Sequence, residues 1–264
     1  MRSSTDKTNR FSLMIDALTE LANEEQEQPS SPMSGLPTLR SSIADASPLP
    51  NTALFLGLAD DGLPVLLDLY DPIPGPLLII ADEANGKTSF LQMITRSIEL
   101  LHNPSDVQSG IITQYPDEWE NFQDSQSVIG IYTAQENSSR ELLQSLVTWA
   151  HNNKENKQSI LLLIDDLEAV IKLDPQTEQN LRWLLLRGPS RRVWPIVTIN
   201  SSRALDMEVW MGFFRTRLFG HTQDVNSSHF IANDSNKVFD NLAASQFTMR
   251  EGSNWLNFWA PAID

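Results

Sequence analysis

The chain contains no cysteine, which removes disulfides, thiolate metal sites and cysteine nucleophiles together. Its four histidines, His102, His151, His221 and His229, lie far apart with no ligand spacing, so a histidine metal centre is not expected. No apolar run reaches membrane-spanning length, and membrane insertion is not expected. After the opening MRSSTDKTNR, Asp16 and Glu20 interrupt the one stretch that could serve as the apolar core of a secretory signal. The expected location is therefore the cytoplasm. Positive charge is scarce: 19 lysines and arginines face 34 acids, a net charge of −15, which opposes non-specific adhesion of the whole chain to DNA. Lysine is missing altogether from Leu181 to Arg217, where Arg182, Arg187, Arg191, Arg192, Arg203, Arg215 and Arg217 stand with Asp206 and Glu208 as the only acids. Arginine throughout suits fixed, bidentate contacts to phosphate or carboxylate. The partner is either a polyanion such as DNA or the protein's own acidic surface.

What is present describes a globular protein. With 264 residues, 41% of them hydrophobic, the chain is long enough for one substantial α/β domain and an appendage. Phe11, Met14, Ile15, Leu18, Leu21 and Ala22 share one face at helical spacing, so residues 8–24 read as an amphipathic helix. Such a helix docks on the domain or on a protein partner. From Glu24 to Pro50 the composition turns to Glu, Gln, Ser and Pro, the signature of a flexible linker. The expected division is a helix in 1–24, a linker in 25–50 and a compact domain in 51–264.

Within that domain the most informative stretch is LLIIADEANGKTSFL, from Leu77 to Leu91. An apolar strand runs into a polar loop ending Gly86-Lys87-Thr88, and an apolar-periodic helix follows. This is the order of the phosphate-binding loop of P-loop nucleotidases. There the backbone N–H groups wrap phosphates, a lysine reaches the terminal phosphates, and a hydroxyl holds Mg²⁺. Ala81 occupies the place of the first glycine of that pattern. Asp82 and Glu83 add charge near any bound triphosphate, at about 2 kcal/mol per pair of unit charges ~8 Å apart at an effective dielectric near 20. The competing reading is an ordinary helix N-terminus with a surface lysine.

The remaining chain alternates strand and helix. A hairpin pairs ALFLGL (53–58) with PVLLDLY (64–70) around Asp60-Asp61-Gly62. Strands are expected at 110–114, 128–132, 160–164, 193–199 and 216–221. Helices are expected at 87–101, 137–152, 175–187, 204–214 and 237–242, and a final hairpin joins QFTMR to WLNFW. Sustained alternation from 77 to 200 favours a mainly parallel sheet with helices on both faces, with β-hairpins at its edges. The run Ile160–Ile164 reads as a strand buried on both faces. It places Asp165 and Asp166 at its carboxyl end, where open α/β sheets hold their ligands. The pair reads as a Mg²⁺-site strand, against the plainer role of capping the next helix. Trp255, Phe258 and Trp259 read as residues that seal the sheet, since no basic residues interleave with them.

Together these stretches resemble the motor domain of the FtsK/SpoIIIE branch of the FtsK/HerA P-loop ATPases. The carriers are LGLADDGLPVLLDL before the loop, GKTSFLQMI, IDDLEAV, RGPSRRVWPIVTINSSRA, FRTRLFG and QFTMREG, in order, over about residues 53–260. The resemblance implies a Walker A loop in which Ala84, Asn85, Gly86, Lys87, Thr88 and Ser89 hold ATP. It implies that Thr88 and Asp165 hold Mg²⁺, that Asp166 takes the place of a water-activating glutamate, and that Asn200 takes the place of a sensor glutamine. Asp166 and Asn200 are each one methylene shorter than the family's residue, so the expected hydrolysis is weak or slow. Arg215 or Arg217 is placed either as an arginine finger across a subunit boundary in a homo-oligomeric ring or in a salt bridge within the chain. The family's basic DNA-reading module is not visible, which leaves the arginine stretch as the weak candidate for DNA contact. Two functions follow: an ATP-binding domain related to DNA or protein translocation motors, or a non-catalytic degenerate domain that regulates or binds other proteins.

Overall fold

The computed structural model describes residues 37–153, 158–172, 174–251 and 254–264. The amphipathic helix expected in 8–24 and the first part of the expected linker lie outside these residues. Pro37–Asp264 forms one compact unit. Its elements are α1 (Leu39–Ala46), β1 (Ala53–Ala59), β2 (Pro64–Asp68), β3 (Leu77–Ala81), α2 (Lys87–Leu101), β4 (Val107–Thr113), β5 (Val128–Thr133), α3 (Asn137–Asn152), β6 (Ser159–Ile164), α4 (Leu167–Ile171), α5 (Pro175–Arg187), β7 (Val193–Asn200), α6 (Glu208–Met211), β8 (Thr216–Phe219), α7 (Val225–Ala232), β9 (Gln246–Glu251) and β10 (Asn254–Trp259).

Ten strands form one sheet in the order β2-β1-β10-β9-β8-β3-β7-β6-β4-β5. From β8 to β5 every neighbouring pair is parallel, and β9, β10, β1 and β2 extend the sheet as antiparallel strands. The fold class is thus the mainly parallel α/β sheet with edge hairpins that the alternation of elements predicts. Strand β7 lies between β3 and β6, so the ends of β3, β7 and β6 stand side by side at one edge of the sheet.

The unbroken apolar runs divide by parity, as a strand with both faces covered requires. Leu78, Ile80, Leu162, Ile164, Val197 and Ile199 pack with Leu142, Leu143 and Leu146 of α3 and Leu181 and Leu184 of α5. Leu77, Ile79, Leu161, Leu163, Trp194 and Ile196 pack with Phe90, Leu91, Ile94 and Ile98 of α2. Burying each such side chain contributes roughly 1.5–3 kcal/mol, so the helices hold the parallel strands from both sides. Phe258 is fully buried against Phe247 and Phe90, and Trp255 packs edge-on against Phe219 and Phe239.

Several elements differ from the sequence expectation. The compact unit begins at Pro37 rather than Asn51, because Leu39 and Ile43, one turn apart on α1, are buried in the core beneath β1 and α2. Thr38 caps α1, and the Leu39 N–H donates to the Ala262 carbonyl at 2.8 Å. Two apolar residues in a polar stretch were too few to show as periodicity. The helix expected at 237–242 is absent. Phe239 there makes an isolated bridge with Thr222, and a helix stands earlier, at α7, capped by Asp224. The helix expected over 204–214 shortens to α6, with turns on either side.

Leu39→Ala should lower the unfolding free energy by about 2–4 kcal/mol, the cost of emptying a core leucine site, measured by urea denaturation of the full chain. A change below about 0.5 kcal/mol is what a solvent-exposed linker residue would give and would remove α1 from the core.

Candidate nucleotide site

Five strands deliver polar residues to the same carboxyl edge. After β3 the chain turns through Asp82–Gly86 and enters α2 at Lys87. Gly86 has φ +80°, and a Cβ there would stand 2.0 Å from the Ala244 carbonyl oxygen. Only glycine fits, since the segment leading into β9 lies directly on the loop. Ala84 also has a positive φ, 56°. No side chain caps α2, so its first N–H groups remain available to an anion. A cleft of about 470 Å³ opens here, lined by Ala84, Asn85, Gly86, Lys87, Thr88 and Ser89 together with Gln92 and Glu118.

The Lys87 side chain folds back over the loop and donates from Nζ to the carbonyl oxygens of Ala81 at 3.0 Å and Asp82 at 2.5 Å. Burial pushes its pKa below the usual lysine range, while the carboxylates of Asp165, Asp82, Asp166 and Glu83, in that order, draw it back up. The ammonium is therefore held at the loop by carbonyl dipoles that a more strongly attracting anion would replace.

Thr88, one residue on, donates from Oγ1 to Oδ2 of Asp165 at 2.7 Å. The other carboxylate oxygen of Asp165 accepts from Thr198 Oγ1 at 3.0 Å. Asp165 follows β6 directly and Thr198 lies on β7, so this pair of bonds ties α2 to the ends of two strands. The Asp165 carboxyl is buried, and burial raises its pKa, opposed first by the hydrogen bonds from Thr88 and Thr198 and then by Lys87. A hydroxyl and a carboxylate side by side are hard oxygen donors of the kind Mg²⁺ takes. Among the described residues no cluster of three or more His, Cys, Asp or Glu could hold a metal.

Asp166 is placed differently. Its backbone lies at φ +79° and ψ 95°, a conformation that costs a non-glycine residue about 1–3 kcal/mol. Its N–H donates to Thr198 Oγ1 at 2.8 Å. Its Oδ1 accepts from the Glu168 N–H at 3.0 Å and caps α4, and its Oδ2 accepts from Gln114 Nε2 at 2.7 Å. The structure thus realises the capping role that the sequence allows for this residue. Asn200 is paired with Ala81 in the sheet register, close to the loop, but its Oδ1 accepts from the Ser202 N–H at 3.2 Å and the Ser202 hydroxyl at 3.0 Å.

The Asp82 carboxylate accepts from the Ser201 hydroxyl and from the Gln223 N–H, so it joins the loop to the end of β7 and to the segment after β8.

Arg215 and Arg217 are not brought to the site within the chain. Thr216, between them, pairs with Leu77 at the start of β3, which puts both at the amino edge of the sheet, opposite the loop. Arg215 is exposed. Arg217 donates to the carbonyls of Met211 at 2.8 Å and Phe214 at 3.2 Å. The rest of the arginine stretch divides likewise. Arg182 pairs with Glu178, Arg203 pairs with Glu168 and Asp206, and Arg192 lies over the Tyr70 ring.

Gln114, Thr198 and Ser201 belong to the site without any sequence signal. Each is a common polar residue at or near a strand end, and pairing across the sheet gives them their partners.

No protein-family profile matches this chain, and no curated protein matches it in sequence. Solved structures do match. ATPases 2 and 3 of Thermomonospora curvata EccC, in complex with a signal sequence peptide, superpose with a TM-score of 0.69 at 15% identity over 87% of this chain and 43% of that one. ATPases 2 and 3 of Geobacillus thermodenitrificans EssC superpose with a TM-score of 0.66 at 14% identity over 81% of this chain and 45% of that one. The pCW3 conjugation coupling protein TcpA, in a monomer form with ATPgS, gives a TM-score of 0.65 at 14% identity over 87% and 70%. The chain thus spans less than half the length of the EccC and EssC chains. At these identities the likeness is one of fold: the chain has the α/β fold of the FtsK-like P-loop ATPase domains.

Proposed function

We propose that this chain is a Mg-ATP-binding domain of the FtsK-like translocation ATPase type, with weak hydrolysis. The observation that carries it is the 2.7 Å hydrogen bond from Thr88 to Asp165, beside a lysine folded over a phosphate-sized loop. In this reading Lys87 exchanges its two loop carbonyls for phosphate oxygens, and the N–H groups of residues 84–89 surround the phosphates. Thr88 and Asp165 hold Mg²⁺, which supplies charge neutralisation at the phosphates. TcpA was solved with ATPgS, which supports ATP as the ligand class. Assembly into a homo-oligomer belongs to the same reading, because an arginine at the amino edge, such as Arg215, reaches a nucleotide only on a neighbouring subunit. The arginine stretch gives little support to a DNA contact, since Arg182, Arg203 and Arg217 are used within the fold. Among the described residues no helix is long and apolar enough to cross a membrane.

A second reading, a non-catalytic regulatory or protein-interaction domain, is favoured by the internal bonds of Asp166 and Asn200. Both positions that would handle the attacking water are occupied by protein donors.

Mg-ATP should bind saturably in calorimetry and raise the melting temperature by mass action, and Lys87→Ala should abolish both. An unaltered ATP response in that variant would take Lys87 out of the site. Asp166→Glu, which extends the carboxylate by one methylene, should raise turnover without tightening ATP binding, at a stability cost of about 1 kcal/mol for the weaker helix cap. No gain in turnover would favour the non-catalytic reading.

The raised pKa of Asp165 sets a pH dependence in the ligand-free protein. A carboxyl whose folded pKa lies above its unfolded value contributes stability below the unfolded pKa and loses it as the pH rises through the folded one. Asp165→Asn should therefore be more stable than the parent near neutral pH when no ligand is present. The difference should shrink as the pH is lowered toward the ordinary carboxylate value of 3.8. Denaturant titrations across that range test it, and a gain independent of pH would assign the effect to packing.

A further inference from the structure

We propose that the β5 edge of the sheet is a docking site for an extended, positively charged segment of a partner protein, which adds to the sheet as a further strand. Strand β5 ends the ten-strand order, and among the described strands it pairs with β4 alone. A sheet edge carries unused backbone donors and acceptors, and folded proteins ordinarily blunt it with proline, charge or a covering chain. The opposite edge follows that rule, since β2 begins at Pro64 and ends at Asp68. Strand β5, VIGIYT, contains neither proline nor a charged residue. None of its residues is fully buried, whereas every residue of β6 is.

The backbone shows which groups the edge offers. The Ala134 N–H donates to the Thr113 carbonyl at 2.8 Å, and successive residues of a strand turn their backbone groups to alternate sides. Tyr132 and Ala134 therefore face β4, while Ile131 and Thr133 face away from it. The Thr133 carbonyl is taken by the Glu136 N–H at 3.0 Å. The Ile131 N–H, the Ile131 carbonyl and the Thr133 N–H remain at the edge, the set that an added strand bonds. A cleft of about 170 Å³ lies beside them, lined by Pro116, Gln123, Val128, Gly130 and Ile131. It lies between β5 and the 3-10 turn Pro116–Phe122 and gives an apolar side chain of the added strand a place to bury. Earlier in β5 the register shifts between Val128 and Gly130, which leaves Ile129 without a partner on β4 and 40% exposed.

Charge selects the occupant. Between Tyr115 and Ser139 stand Asp117, Glu118, Glu120, Asp124 and Glu136, with no lysine or arginine. All five acids are exposed, and the ion pairs among the described residues use none of them. A second copy of this chain paired edge to edge would bring the same acids together, so like charge opposes it. A peptide with basic and apolar residues satisfies both features. Its backbone pairs with Ile131 and Thr133, an apolar side chain enters the cleft, and its cations meet the acidic turn.

The test uses the full chain and a fluorescein-labelled six-residue peptide alternating lysine and valine. Fluorescence anisotropy should show saturable binding, and hydrogen exchange should slow at the Ile131 and Thr133 amides. Two further versions carry N-methyl groups, one at the lysines and one at the valines; at least one should lose binding, because an added strand donates from one edge. Asp117→Lys with Glu120→Lys should weaken binding about tenfold, the combined effect of several exposed charge contacts. Asp60→Lys with Asp61→Lys makes the same change of net charge at the β1–β2 turn and should leave affinity unchanged. Thermal melting checks that both variants fold. No binding at millimolar peptide overturns the proposal. Equal binding by the parent peptide and both methylated versions, or equal weakening by the two pairs of substitutions, marks simple charge attraction and also overturns it. Protection of Ile131 and Thr133 that rises with protein concentration in the absence of peptide assigns the edge to a second copy, against the proposal.

Discussion

The arrangement depends on one buried carboxylate. Asp165 sits at the end of β6 and accepts from hydroxyls on two other elements, Thr88 at the start of α2 and Thr198 on β7. A buried carboxylate without donors would be strongly disfavoured; with two it becomes a joint between the loop, the strand beside it and the next strand across. The sheet order makes this joint feasible. Because β7 separates β3 from β6, the residue after β6 cannot lie beside the loop strand itself, and a threonine on β7 spans the gap from beneath. Lys87 gains from the same group, since Asp165 is the first of the charges that offset the burial of its ammonium.

Around that joint the acidic residues of the edge divide by their partners. Asp82 is consumed by Ser201 and Gln223, tying the loop to the end of β7 and to the segment after β8. Asp166 is consumed by α4 and Gln114. Asp165 is the acid that faces the hydroxyl of the loop helix. At this carboxylate-rich edge of a chain of net charge −15, Asp82, Asp165 and Asp166 each accept hydrogen bonds from the protein's own donors. The covering segment adds a steric constraint: with the Ala244 carbonyl lying on Gly86, the loop is fixed from above as well as from the strand below.

The likeness to EccC, EssC and TcpA domains lies in the path of the backbone, at identities of 14–15%. What such likeness leaves to each chain is the chemistry of individual positions. Here Lys87 and Thr88 line the cleft, and Thr88 bonds Asp165. Asp166 and Asn200 have their partners within the fold. Thr88 and Asp165 are therefore bonded to each other at the loop helix, while Asp166 and Asn200 are bonded to other groups of the fold.

The sequence by itself determined the elements whose signal is local. Unbroken runs such as Leu77–Ala81 and Ile160–Ile164 could satisfy their apolar side chains only as strands covered on both faces. The loop ending Gly86-Lys87-Thr88 announced its place between strand and helix, and Asp165 followed from its position at a strand end. Tertiary structure alone decided the rest. The packing of Leu39 and Ile43 brought α1 into the core from a stretch whose composition reads as linker. Phe239 became a bridge partner of Thr222 rather than part of a helix, because its ring stacks on Phe219. The roles of Gln114, Thr198 and Ser201 arose from neighbours more than thirty residues away in the chain. Arg215 and Arg217 fell at the far edge because β8 runs parallel to β3. Local periodicity records which face a residue buries, but the order of strands decides which polar ends meet, and that order is set by packing over the whole sheet.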